Sequence, residues 1–210
     1  MKLQASVTQH VTALAFSLCV MGLMLTPSIA AAQQKAPAKF VIKRVVEKKV
    51  KQLPAGPWYW QLENFPTLAQ AQAAAGPMSL AAEVSGKVWL FTLGAKGAPA
   101  HGGSKVVEIG PVPRITAPEY LLRINHASGP PGAKTKVHSH PGSEAFYVLA
   151  GRLGQRTPHG VAHADPGQFM PGHGPDVPME VFSAGTTNLD QLVMFVVDAT
   201  RPFSTSAHIN

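Results

Sequence analysis

The spacing of polar and apolar positions changes twice along the chain. From Lys39 to Leu53, KFVIKRVVEKKVKQL, the residues Ile42, Val46, Val50 and Leu53 fall on one side of a helix, yet the same β-branched run equally suits an edge strand. LPAGPWYW then reads as a turn into an aromatic segment. FPTLAQAQAAAGP predicts the one clear helix, with Thr67 as N-cap, an Ala/Gln/Leu body and Gly76-Pro77 as its stop. After Pro77 the runs become short. SLAAEV and KVWLFTL flank Ser85-Gly86 as a hairpin, and VVEI, YLLRINHA, EAFYVLAG, VAHA, MEVF and QLVMFVV follow, each bounded by Gly, Pro, Asp or Asn. Short strands with no helical pattern between them imply an antiparallel sandwich or barrel. With no internal repeat, one barrel is expected and not two.

Composition alters this picture mainly at the N-terminus. An uncharged apolar run from Val11 to Leu25, then Pro27 and the small residues Ala30-Ala31-Ala32 before Gln33, predicts a signal peptide over residues 1–32; Ser28-Ile29-Ala30 is a second cleavage option. The run falls short of the roughly 20 residues that a spanning helix needs, so no membrane span is expected in the mature chain. The expectation is an exported protein, periplasmic or secreted. The single cysteine, Cys19, lies inside that segment behind Leu18, where a lipid-anchor signal wants a small residue. The mature chain therefore has no disulfide and must rely on a packed core.

Charge is unevenly placed. Residues 35–51 carry seven Lys or Arg against Glu47 alone, whereas the rest of the mature chain balances ten bases with ten acids. The basic excess thus describes a short arm, residues 33–54, ahead of a domain over residues 55–210. A neutral domain behind a basic arm argues against nucleic acid as a partner. The arm reads as a solvated element that packs on the domain or on a second copy, which leaves a homodimer open; contact with an anionic membrane surface is the alternative. A chain beginning near Leu53 is expected to keep its fold unless the arm completes a sheet edge.

The candidate chemistry lies in GAKTKVHSHPGSEAFYVLAG, Gly132 to Gly151. In a strand, residues i and i+2 share a face, so His138 and His140 stand side by side with Ser139 turned away. Pro141-Gly142-Ser143 turns the chain, and Glu144 opens the next strand beside the two imidazoles. Two imidazoles and one carboxylate on an inner face describe a divalent-metal site with open positions, suited to Fe, Mn or Zn.

The spacing G-x5-H-x-H-x3-E-x6-G resembles the first conserved motif of the cupin superfamily, matched at every fixed position. The resemblance implies a single jelly-roll β-barrel whose lumen holds a metal, with His138, His140 and Glu144 as ligands and Gly132 and Gly151 permitting turns. The second cupin motif is degenerate in PGQFMPGHGPDVPMEVFSAG: Met179 stands where that motif usually supplies a fourth ligand, a histidine, and leaves the position vacant. His173 is the remaining candidate for an additional ligand. His159 and His163 read as solvated or packing residues.

Cupins include oxygenases, isomerases and decarboxylases, so the resemblance points to a metal-dependent, oxygenase-like enzyme. A non-catalytic barrel that binds a small ligand, or a structural barrel, is the alternative. Alternation from Glu144 places Phe146 and Val148 inside and Tyr147 outside, which predicts a largely apolar or aromatic ligand.

Overall fold

The structure is a computed structural model and describes residues 39–210. The expected signal peptide and its cleavage site lie outside the described residues. In chain order the elements are β1 (Val41–Val50), β2 (Trp58–Phe65), α1 (Leu68–Ala74), β3 (Ser79–Val84), β4 (Lys87–Gly94), β5 (Ser104–Val112), β6 (Tyr120–Gly129) and β7 (His138–Ser139). They continue with β8 (Gly142–Ala150), β9 (Leu153–Thr157), β10 (Gly160–Ala164), β11 (Phe169–Met170), β12 (Glu180–Ser183), β13 (Leu189–Asp198) and β14 (Thr205–Ser206). The mainly β, antiparallel class expected from the strand spacing is what forms.

The strands are hydrogen-bonded as four sheets: β1-β6-β13-β8-β11, β3-β4-β2-β5, β10-β9-β12 and the short β14-β7 pair. Local sequence explains several elements. The Thr67 side chain accepts a hydrogen bond from the Gln70 amide and caps α1. Ser85 and Gly86 both adopt positive φ, 49° and 70°, the conformation a two-residue hairpin between β3 and β4 requires.

The five-stranded sheet is buried on both faces. Leu122, Ile124, Leu192, Met194 and Val196 pack against Trp58, Trp60, Leu62, Trp89 and Phe91 of the four-stranded sheet. On the opposite face Phe146, Val148, Val193 and Val197 join Leu153 and Val181 of the three-stranded sheet. Tyr147 faces away from Phe146, as alternation requires, but it meets Trp89 edge-on at 6.2 Å instead of solvent. The reason is the additional layer formed by residues 58–112, which covers the face that alternation alone would leave outside.

The basic arm is not an appendage. Val41–Val50 is the edge strand β1, paired with β6 from Val41↔Ser128 to Val50↔Tyr120 with one register shift at Arg44/Val46. Glu47 binds the Arg123 guanidinium, and the Lys48 ammonium donates to the carbonyls of Pro77 and Ser79. The described residues 39–210 lie in one compact unit, so the boundary expected at residues 54/55 falls inside it. Its sequence left helix and strand equally open; pairing with β6 decides for the strand. Its apolar residues Val46 and Val50 pack on the first core while the lysines remain at the edge, a charged border that resists pairing with another chain.

Candidate metal centre and its cavity

β7 and β8 place the motif residues on one cavity of about 360 Å³, bordered by His138, His140 and Glu144 together with Phe146, Val193 and Phe195. The tight chain reversal between the histidines and the glutamate is pinned by close packing: a Cβ at Gly142 would overlap the backbone of Val196 and Val197. Gly132 and Gly151, at the ends of the motif, sit at φ 78° and 73°, a region only glycine enters freely.

The two imidazoles are held by their Nδ1 atoms. His138 Nδ1 lies 2.8 Å from the Lys136 carbonyl oxygen and His140 Nδ1 lies 2.6 Å from that of Phe203. Each ring therefore donates from Nδ1 and keeps its Nε2 lone pair free. His140 is buried against Phe195 and Phe203. Burial lowers its pKa to about 4, helped by the nearby His138 and Arg123 charges and opposed by the Phe203 carbonyl.

Glu144 is 2% exposed. Burial pushes its carboxyl up to about 8, and the Gln155 amide, donating to Oε1 at 3.0 Å, opposes that rise only in part. Its Oε2 lies 3.7 Å from His140 Nε2. Gln155 also reaches the Met179 thioether at 3.5 Å. Met179 is buried beside the site, its backbone bridged to His138 by hydrogen bonds in both directions.

The donor chemistry fits a divalent cation: two imidazoles held through Nδ1, which leaves Nε2 for a ligand, and one carboxyl group on a single cavity wall. The side chains are not gathered to one point. The His138 ring stands edge-on to His140 at 5.0 Å, and among the described residues no three His, Cys, Asp or Glu side chains are placed to hold a metal ion as they stand. His173 does not border this cavity. It stacks near His159 with ring centres 5.9 Å apart, and burial, then the His159 charge, lowers its pKa. Its loop reaches the site by a different residue. Gly172, at φ 76°, lies so close over Glu144 that a Cβ there would overlap the Glu144 carbonyl oxygen.

Two residues of the site, Gln155 and Gln191, escaped the sequence reading, and the face of Asn125 could not be read from it. Gln155 comes from β9, and its role as clamp of Glu144 depends on sheet packing alone. Asn125 and Gln191 border the cavity from β6 and β13. The only signal for them was a polar residue inside an apolar strand, in YLLRINHA and at the head of QLVMFVV. Elsewhere, Ser85, His126 and Asp190 form an exposed polar cluster, but Asp190 accepts from the serine directly while His126 Nε2 faces the same carboxylate. The serine oxygen also lies 3.4 Å from His126 Nε2, and the three side chains tie the β3–β4 turn to β6 and β13.

The antiparallel, layered β fold carries the complete H-x-H-x3-E motif on one cavity wall, the arrangement that the resemblance to cupins implied. No family model matches the chain, and no curated protein does. Solved structures similar to it include a DMSP lyase from Ruegeria pomeroyi, at 21% identity over 41% of this chain and 43% of that chain, TM-score 0.36. A cupin superfamily protein from Desulfitobacterium hafniense aligns at 14% identity over 37% of this chain and 68% of that chain, TM-score 0.33. A cupin-like protein from Thermotoga maritima aligns at 18% identity over 42% of this chain and 65% of that chain, TM-score 0.38. The similarity spans less than half the length of the lyase.

Proposed function

We propose that this cupin-fold chain holds one divalent cation through His138, His140 and Glu144 and acts on a small, largely apolar or aromatic molecule in the adjoining cavity, with oxygenase-like chemistry. The observation that carries this reading is the pair of imidazoles, each tied through Nδ1 to a main-chain carbonyl and each bordering the cavity that Glu144 also borders. A bound Fe, Mn or Zn ion would supply an electrophilic centre with open coordination positions.

The chain's own residues have separate tasks in this reading. Glu144 gives up its proton as it takes the cation, and Gln155 holds Oε1 so that Oε2 stays turned towards His140. Phe146, Val193, Phe195 and Phe203 exclude water and hold the apolar body of the substrate. Export to the periplasm or medium belongs to the same proposal and rests on the sequence of residues 1–33; N-terminal sequencing of exported protein should find a start at Gln33 or Ala31.

The decisive experiment is metal titration of the purified mature chain with Mn, Fe, Ni and Zn, with elemental analysis of the bound ion. One equivalent should bind wild type and none should bind the folded His138→Ala/His140→Ala double variant. A specific observation favours a second reading: the carboxyl of Glu144 is held neutral by burial, and the three donors are not drawn together. Wild type that binds no ion would make the chain a non-catalytic barrel for a small ligand.

A further inference from the structure

The cavity wall carries two side-chain amides that the metal reading does not use. Gln191 is 0% exposed, and neither its Oε1 nor its Nε2 has a hydrogen-bond partner among the described residues. Asn125 is 6% exposed, and its Oδ1 is likewise without one. Both residues border the same cavity as Glu144.

Their placement follows from register. Glu144 pairs with Phe195, and Phe146 pairs with Val193, whose partner on the other side is Asn125. Gln191 lies one rung further along, opposite Ala127 and Val148. Asn125 thus shares the Phe146–Val193 rung, and Gln191 lies diagonally across from it on the next, two rungs from Glu144. Buried amides without partners destabilise a fold, so strands built otherwise of Leu, Val, Ile and Phe would be more stable with an apolar residue at either position. Such groups are retained where something outside the chain satisfies them.

We propose that Asn125 and Gln191 recognise the polar head of the cavity's ligand, and that this head is neutral and carries both a donor and an acceptor, as a carboxamide or hydroxyl does. Two acceptor oxygens and a donor nitrogen lack a partner among the described residues, and each amide can exchange oxygen for nitrogen by a half-turn of its last torsion. A carboxylate offers acceptors only and would leave the amide oxygens unmet. Arg123, on this face of β6, is engaged by Glu47 and lies over the Phe203 ring, 3.9 Å from its centre, and Lys136, the cation that borders the cavity, comes from the segment before β7 and not from the strands that carry the amides. The apolar walls take the rest of the molecule. This inference rests on the reading of the cavity as a ligand site, but it does not require the metal.

The test uses metal-free wild-type chain in EDTA, titrated with 2-naphthamide, 2-naphthoate and 2-methylnaphthalene, three probes of one shape that differ in the head. The amide should bind at least about tenfold tighter than the other two, the margin expected when buried polar groups are met instead of left unpaired. Gln191→Leu and Asn125→Leu should each reduce that preference, and Gln191→Leu should raise Tm by a few degrees. Equal binding of the three probes, stronger binding of the carboxylate, or no binding of any probe would overturn the proposal. So would a preference that survives both substitutions. A lower Tm for Gln191→Leu would mark a structural amide and also count against it. Because the titration excludes metal, a failed metal site leaves the probe ranking unaffected, and the two readings fail separately.

Discussion

Glu144 and His140 depart from their ordinary pKa values in opposite directions, and that fixes how the metal-free chain responds to pH. Glu144 is raised to about 8 from 4.5 and His140 lowered to about 4 from 6.5. Between pH 4.5 and 6.5 the folded pair carries its proton on Glu144 and the unfolded pair carries one on His140, so the two contributions cancel. From pH 6.5 to 8 only the folded state holds a proton, and stability must fall as pH rises. The loss over that window is about 2 kcal/mol, or a Tm decrease of about 4–8 °C for a chain of this size. Thermal melts in EDTA should show this slope in wild type and lose it in Glu144→Gln; a Tm that stays level from pH 6.5 to 8 in wild type would contradict the buried neutral carboxyl. Met179, linked to Glu144 through Gln155, supplies a second test. Met179→His should tighten metal binding by about tenfold, since a further imidazole completes a closed site. The same change should cost the metal-free fold about 1–3 kcal/mol for a buried, unpaired ring. The glutamate and histidines were legible because their spacing fixes their face. Gln155 and Gln191 were not, because a glutamine on a strand shows its partner only once sheets are packed.

At the scale of elements, contact decides what local pattern leaves open. The hairpin at Ser85-Gly86 and the helix capped by Thr67 are settled within a few residues, and both were readable. β1 was ambiguous because its β-branched residues serve either period, and pairing with β6 resolved it. Removing residues before Leu53 therefore strips an edge strand with its Glu47–Arg123 pair and its Val46 and Val50 packing. Such a chain should fail to give a cooperative melt and should aggregate, contrary to what an independent arm would do; a Tm near that of the full chain would return β1 to the status of an appendage. The loop before β12 behaves similarly. Nothing in its run of Pro and Gly singles out a residue that positions the site, yet Gly172 seats against the Glu144 backbone. Gly172→Ala should cost about 1–3 kcal/mol from the strained φ alone, with weaker metal binding as Glu144 is displaced. Differential scanning calorimetry with and without metal separates these two effects.

Across the whole molecule, the sheet that carries the site is enclosed between two cores. An unbroken apolar run such as QLVMFVV signals burial on both faces, but a single expected barrel offered only one interior, so the second layer was not anticipated. This arrangement also divides the cavity's boundary by how its backbone opens. β13 is bonded along nearly its full length to β6 on one side and to β8 on the other, whereas β14 meets β7 through only Thr205↔Ser139 and Ser206↔His138. Amide hydrogen exchange should therefore be slowest in β13, where amides are released only when the entire chain unfolds, and fast by orders of magnitude around residues 203–207. A molecule entering beside His138 would then pass a border that opens many times for each global unfolding, while the wall that reads its shape stays closed throughout.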